Sequence, residues 1–220
     1  MRALILGSSG GIGSAVVRQL RTQGADVIEL SRRGNGLDLT DQQSVERAAA
    51  SLQGEFDLIF NATGALQIDG HRPEKTLNAI DAEAMSKQFA LNAIGVALAL
   101  RYFSPALRSK ERAVFASLSA RVGSIGDNRL GGWISYRAAK AAQNQIVRTA
   151  AVEIARKRPN AVVVALHPGT VETGLSAAYA THHPTISPEQ SAAALLGVMS
   201  RLTAADTGTF WDWKGEEVPW

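Results

Sequence analysis

The chain has 220 residues, of which 45% are hydrophobic and 20% charged, with a formal net charge of +3; this composition excludes disorder and suits one α/β domain over residues 1–220 with a full core. Cysteine is absent, which excludes disulfides, thiolate catalysis and cysteine-ligated metal. No apolar run approaches the roughly 18 residues of a membrane-spanning helix, and no basic face interleaved with aromatics marks a nucleic-acid partner.

Short apolar strands alternate with helical stretches throughout, the pattern of a parallel sheet covered by helices on both faces. The first strand is expected at Ala3–Leu6. It lies so close to Met1 that no export signal is expected before it, which fits a cytoplasmic enzyme. A glycine-rich turn and a helix follow, then a strand at Val27–Leu30. Only Ser31–Gly36 separates that strand from a very short third one at Leu37–Leu39, so no helix is expected between them. Thr40 with Gln43 has the pattern of a capping box, opening a helix that runs to about Gln53. A fourth strand at Asp57–Phe60 precedes a long helix over Asp81–Tyr102. A fifth at Ala113–Leu118 precedes another long helix over Ser135–Arg156. The basic run Arg156-Lys157-Arg158 closes that helix before Pro159, where cations complement the helix dipole. Val162–Leu166 is continuously apolar, as a strand buried on both faces should be. Ser187-Pro188-Glu189-Gln190 is a second capping box, with Pro at the first helical position, and a last strand is expected at Thr209–Asp212. The total is about seven strands, without internal repeat, low-complexity tract or domain boundary.

The turn after the first strand runs Gly7-Ser8-Ser9-Gly10-Gly11-Ile12-Gly13. Glycine lets the chain turn sharply and approach a pyrophosphate, while the following helix offers free N–H groups and the positive end of its dipole. Gly7, Gly11 and Gly13, with Ser9 and Ile12 between them, are therefore expected to hold a dinucleotide. The end of the second strand should meet the adenosine ribose, where an acidic residue would favour NAD. This chain instead has Ser31, Arg32 and Arg33, and Glu29 lies earlier, inside the strand. Guanidinium groups match a phosphate in a bidentate fork, so NADP(H) is the expected cofactor. Asp38 and Leu39, at the short third strand, are placed at the adenine. Asn61-Ala62-Thr63-Gly64 follows the fourth strand at the carboxyl edge of the sheet, where ligands bind.

Tyr136 and Lys140 carry the chemistry. On a helix, residues i and i+4 share a face, which brings the Lys140 ammonium toward the Tyr136 ring. Free tyrosine has a pKa of about 10, and a nearby cation favours the phenolate, drawing the group toward the pH range where acid–base catalysis works best. A lone Tyr-x-x-x-Lys is weak; downstream of a dinucleotide turn it points to proton transfer at a carbonyl or alcohol.

With these motifs together, the chain resembles the short-chain dehydrogenases/reductases over essentially its whole length. The resemblance rests on the glycine turn at Gly7–Gly13, the Asn61–Gly64 segment, the tetrad Asn92/Ser119/Tyr136/Lys140 and Pro168-Gly169 after the sixth strand. Gly123–Asn128, Gly131-Gly132-Trp133, Phe210–Gly215 and the final Pro219-Trp220 resemble the compact branch that includes C-factor and sniffer-type carbonyl reductases. The resemblance implies a doubly wound (Rossmann) fold and NADP(H)-linked reduction of a small carbonyl compound or oxidation of an alcohol. It implies Tyr136 as proton donor and Lys140 as the group that lowers the Tyr136 pKa and binds the nicotinamide ribose. It further implies Ser119 as hydrogen-bond partner of the substrate oxygen, Asn92 as holder of a water, and Pro168, Gly169, Val171 and Thr173 as cofactor contacts near the nicotinamide. Leu6 and Thr63 depart from the family pattern, which more often has Thr and Ala there. The serine has rivals: Ser117 lies two residues back on the same strand face, and counting back from Gly123 puts Ala120 in the expected place. The family also implies pairing of the two long helices across a homodimer or homotetramer. A signalling or regulatory protein that binds NADP(H) with little turnover is the alternative function.

The remaining candidates read as structural. His182-His183 lacks the i, i+4 spacing of a helical metal pair and reads as a solvated loop, and no metal is expected. His167 reads as a satisfied strand-end residue. Trp133 either walls the substrate pocket or packs in the core, and Trp211, Trp213 and Trp220 pack the C-terminal strand or a subunit contact.

Overall fold

Strand alternation builds the two sides of the molecule. β1 (Arg2–Leu6) sends Leu4 and Leu6 to one face and Ala3 and Ile5 to the other, and each pair joins a separate buried cluster, as the two-residue period of a strand requires. β2 (Asp26–Leu30), β3 (Leu58–Asn61), β4 (Ala113–Leu118), β5 (Ala161–His167) and β6 (Phe210–Asp212) join it in one parallel sheet of order β2-β1-β3-β4-β5-β6. The computed structural model describes residues 1–173 and 185–220. α1 (Gly11–Thr22) and α7 (Pro188–Arg201) cover the Ala3/Ile5 face; α3 (Gln42–Ala50), α5 (Gly95–Phe103) and α6 (Ile134–Lys157) cover the Leu4/Leu6 face. The sheet is therefore doubly wound, and its order reverses between β1 and β3, the switch point where ligands bind in such folds. Gly7, Ser31, Ala62, Ser119 and Pro168 all stand just beyond the carboxyl ends of strands β1 to β5.

The six described strands fall short of the expected seven because Leu37–Leu39 joins no ladder. Both leucines are buried against Val45 in the core, and their apolarity serves packing under the sheet rim. A one-turn helix, α2 (Arg32–Asn35), occupies the linker where none was expected. The capping box at Thr40 is also replaced: Thr40 donates its hydroxyl to Asp38 (2.7 Å), and Asp41 caps α3 by accepting from the Gln43 amide at 2.9 Å. α3 accordingly begins at Gln42 and ends at Ala50, short of Gln53. The Ser187 box is present as expected, and α6 runs within a residue of the expected bounds at each end.

The expected helix over Asp81–Tyr102 is a composite of α4 (Ala82–Phe89), a π-turn at Ala90–Ile94 and α5. Within the continuous stretch Ala82–Ala106 an 18-residue window reaches a mean hydropathy of 1.3, long and apolar enough by composition to cross a membrane. Its apolar residues have a use within the fold, since Val96, Ala99, Leu100 and Phe103 all enter the core.

Candidate active site

The glycine turn is built for close approach. The Gly7 N–H donates to the Leu30 carbonyl (2.8 Å), and Gly7 adopts φ 79°, which L side chains rarely allow. A Cβ on Gly13 would overlap the Gly7 carbonyl oxygen, and one on Gly11 would stand 2.7 Å from Thr173 Cγ2. The turn is thus packed backbone to backbone, and α1 starts from Gly10 without a side-chain cap. Its first N–H groups remain the kind of donor that an anion satisfies. Backbone of this form fits a pyrophosphate.

At the next strand end, Ser31 is buried and its hydroxyl accepts from the Gly34 N–H at 3.0 Å, capping α2. Arg32 and Arg33 stand exposed on that single turn. Glu29 is paired with Arg21 at 2.7 Å, so the strand's own carboxylate is already engaged. Asp38 accepts from the Thr40 amide and hydroxyl; those hydrogen bonds, aided by Arg32, hold its carboxyl below the usual range. Leu39, expected at the cofactor, has its side chain buried against Gly95, so only its backbone is left to face a ligand.

A buried polar network joins β3, β4 and α6. Asn61 donates to Ser117 (3.1 Å) and accepts from the Thr63 hydroxyl (2.6 Å). Ser117 also accepts from Gln143 Nε2 at 3.1 Å and is fully buried. Its hydroxyl is committed to holding strand to helix. Ser119 lines the cavity, with Ala120 beside it, and its hydroxyl donates to Asn144 Oδ1 at 2.6 Å. Of the rival serines, Ser119 is the one beside Tyr136 in that cavity.

Tyr136 and Lys140 share the buried face of α6, with Lys140 Nζ 5.8 Å from the Tyr136 ring centroid. Lys140 donates to the Leu118 carbonyl (3.1 Å) and to Gln143 Oε1 (2.8 Å). Burial pushes its ammonium down to about 7 and pushes the Tyr136 phenol up. The expected depression of the Tyr136 pKa by Lys140 is therefore reversed: desolvation outweighs the cation. Asn92 sits in the π-turn, fully buried, accepting from the Ala65 amide and donating to the Ala65 carbonyl (2.9 Å) and to Gln88 Oε1 (2.6 Å). Asn92 and Lys140 both border the space left by the missing side chain of Gly64.

The far wall is a braced loop. Gly131, Gly132 and Trp133 all have positive φ, the last at 53°. Such a conformation in a tryptophan is strained and must be held by its surroundings. The Trp133 amide donates to the Glu74 carbonyl (2.6 Å), and its ring meets Tyr136 edge-on at 6.4 Å. Glu74 takes the start of α6 by accepting from the Ser135 amide and hydroxyl. The Ser124 hydroxyl is bonded to the Pro219 carbonyl, and the Gly126 amide donates to Trp220, so the chain's last residues support this loop. Trp220 in turn stacks on Phe210, and Trp213 packs beside Gly169.

Ile12, Ala62, Thr63, Gly64, Ser119, Tyr136, Lys140, Pro168, Gly169, Val171 and Thr173 line one cavity of about 760 Å³. Trp133 lines it too, settling its place as a pocket wall. His167 lines it as well, and its Nδ1 is buried without a hydrogen-bond partner among the described residues. It is thus not the satisfied residue expected, and burial holds its imidazole down to about 4, neutral at neutral pH. His182 and His183 lie outside the described residues. Gln143 and Asn144 were missed by sequence reasoning, although their spacing from Lys140 puts them on the same helical face.

Among the described residues, no cluster of His, Asp or Glu could hold a metal ion. A sheet with its switch point at a glycine turn, and Tyr and Lys over the crevice, defines a NAD(P)-dependent dehydrogenase or reductase. A family model described as short chain dehydrogenase matches residues 34–183, and the chain belongs to that family. It is 32% identical to the 1-hydroxy-2-glutathionyl-2-methyl-3-butene dehydrogenase of Rhodococcus sp. (strain AD45), over 99% of this chain and 98% of that protein. It is 34% identical to the C-signal protein of Myxococcus xanthus over 76% of this chain and 94% of that one. Among solved structures, the NADPH-bound carbonyl reductase from chicken fatty liver shares the fold with a TM-score of 0.84 at 24% identity, covering 100% of this chain and 94% of that chain. Carbonyl reductase Sniffer of D. melanogaster does so with a TM-score of 0.81 at 18% identity, covering 100% and 99%.

Proposed function

We propose that residues 1–220 act as one domain that reduces a small carbonyl compound, or oxidises the corresponding alcohol, with NADP(H). The observation that carries this reading is the single cavity in which Ser119, Tyr136 and Lys140 meet the loop residues Thr63, Gly64 and Thr173. Gly7, Ser9, Gly11, Ile12 and Gly13 would hold the pyrophosphate, and Arg32 and Arg33 a 2′-phosphate. Asp38 would face the adenine, while Lys140, Pro168, Gly169, Val171 and Thr173 would surround the nicotinamide end. Bound NADP(H) supplies or accepts the hydride.

The chain's own residues handle the proton. Ser119 holds the substrate oxygen. Tyr136, kept as a neutral phenol by burial, gives its proton to that oxygen as the carbonyl carbon is reduced, and Lys140 balances the resulting phenolate. Asn92 spends both Nδ2 protons on Ala65 and Gln88 and one Oδ1 lone pair on the Ala65 amide, so a relay water would be held by the remaining Oδ1 lone pair or by a backbone carbonyl of the π-turn, where the helical ladder is interrupted. The Rhodococcus relative's name specifies a hydroxy compound as substrate, which supports the alcohol direction. Structures of similar fold described as NADPH- or NADP-bound support the cofactor. Ile94 and Val152 stand exposed on the π-turn and α6, and these helices are the faces through which a homodimer or homotetramer would form. We place the enzyme in the cytoplasm.

Tyr136→Phe tests the mechanism. It should lower kcat by at least about a thousandfold while the Kd for NADPH, read by nicotinamide fluorescence, stays within a factor of two or so. Near-normal turnover in that variant would sink the assignment. The similarity to the C-signal protein favours a second reading, NADP(H) binding with little turnover. Tight NADPH binding without activity across a broad panel of carbonyl compounds would select it.

A further inference from the structure

The cavity continues past Tyr136 to an outer end whose charge the reduction chemistry does not use. Lys75, Arg121, Arg129 and Arg137 line that end, with Asp127 as its single carboxylate. Asp127 is taken by Arg121 at 3.2 Å. Among the described residues, Lys75, Arg129 and Arg137 have no carboxylate within ion-pair distance, and Glu74, the nearest acid in sequence, turns its carboxylate to Ser135. Residues 174–184 contain neither Asp nor Glu, so they have no counter-charge to offer.

Arg137 is the most telling of the three. Its guanidinium donates to the Gly132 carbonyl (2.9 Å) and the Val122 carbonyl (3.3 Å), which fixes its plane beside the pocket. Two carbonyls satisfy part of its fork and leave further N–H donors. Burial disfavours its charged form, which is the condition of a cation awaiting an anion. Exposed cations count for little singly, but three of one sign around an apolar, low-dielectric cavity focus their field into it. They come from the loop between β3 and α4 (Lys75), from the loop that leads into α6 (Arg129) and from α6 itself (Arg137). None of these elements carries a residue assigned to the cofactor's phosphates.

We propose that the substrate carries a carboxylate, held at the outer end of the cavity by Arg137, Arg129 and Lys75 while its reacting oxygen lies at Ser119 and Tyr136. The body between the two ends is apolar, matching Val122, Leu130 and Trp133 in the lining of the same cavity. This deepens the carbonyl reductase reading and rests on it for the position of the reacting oxygen.

The test uses a matched pair, 4-carboxybenzaldehyde and its methyl ester, titrated by calorimetry into the full chain saturated with NADP+, so that binding is read without turnover. The acid should bind about tenfold more tightly than the ester or better, as one charge-assisted hydrogen bond implies. That ratio should shrink as salt is raised. It should fall toward one in Arg137→Gln and by a smaller factor in Arg129→Ala or Lys75→Ala. The two exposed positions keep the test open should Arg137→Gln fail to fold. Equal binding of acid and ester, or no binding of either at millimolar concentration, overturns the proposal. So does a loss of NADP+ affinity in the variants with the ratio unchanged, which would assign the cations to the cofactor. Turnover is measured separately with NADPH: a tightly bound acid that is never reduced would sink the reductase reading and leave the carboxylate site standing.

Discussion

The two ends of the crevice are built by different means. At the β1 end the wall is largely backbone: Gly7 and Gly13 pack against main chain and Gly11 against Thr173, so closely that side chains have no room. At the α6 end the wall is side chain and strained loop, with Gly131, Gly132 and Trp133 in left-handed conformations and a cluster of cations behind them. A backbone wall tolerates no addition and suits a group that every dinucleotide has in common. A side-chain wall can be rebuilt residue by residue and discriminates among substrates. Tyr136 and Lys140, on α6, line the same cavity, and on the proposed reading they stand where cofactor and substrate would meet.

The sharpest way to break this contrast is at the backbone end. Gly13→Ala puts a Cβ onto the Gly7 carbonyl oxygen, and backbone on both sides leaves no flexible group to yield. We expect a stability loss on the order of 2–4 kcal/mol and a fall in NADPH affinity of at least about a hundredfold, read by thermal unfolding and nicotinamide fluorescence. An intact Kd would mean that the turn does not hold the cofactor. Next in size is the arginine pair. Arg32→Ala with Arg33→Ala should cut the preference for NADPH over NADH by about 10- to 100-fold, the worth of one or two charge-assisted contacts. The affinity for NADH should barely move. Equal losses for both cofactors would show that α2 supports the site without reading the phosphate.

The same contrast explains what was legible in the sequence. Glycines forced by close approach mark the turn after β1, and the continuous apolar run Val162–Leu166 announces β5, because physics leaves few alternatives at those positions. Leu37 and Leu39 deceived because a residue buried beneath a sheet rim has the same apolarity as a strand residue. Thr40 lost its place as cap because Asp38 binds its hydroxyl, leaving the neighbouring Asp41 to take the helix start. The π-turn at Asn92 left no sequence trace, since one extra residue in a turn changes no composition. Gln143 and Asn144 carry no motif that singles them out. Only the helical register, counted from Lys140, reveals that they face inward, and the outer cations belong to segments whose meeting depends on the folded loop.

Asn144 offers a finer probe of the shared centre. Its Nδ2 is buried without a partner among the described residues, while its Oδ1 receives the Ser119 proton. Turning the amide over would let Nδ2 donate to Ser119 Oγ and free the hydroxyl proton for the substrate oxygen. Asn144→Ala should then lower kcat by about tenfold with the NADPH Kd unchanged. Asn144→Asp, ionised and able only to accept, should be no better than Ala. Full activity in the Asp variant would show that Ser119 needs an acceptor at that position.

The smallest expected effect concerns Lys140 in the protein without ligand. Burial holds its ammonium near 7 against an ordinary lysine value of about 10.4. Between those values the unfolded chain binds a proton that the folded chain has released, so folding stability rises with pH across that window. Below pH 7 the folded protein must keep the charge in a dry site, and the full penalty applies. Lys140→Met removes the titration and fills the space with an apolar chain, at the loss of two hydrogen bonds to Leu118 and Gln143. We therefore expect the variant's melting temperature relative to wild type to be highest near pH 6 and to decline toward pH 10. Thermal unfolding of both proteins across that range measures it, and a difference independent of pH would mean that the ammonium stays protonated throughout. Saturating NADPH should flatten the wild-type curve, because a bound anion returns the proton to Lys140 and ties the centre of α6 to the glycine end of the crevice.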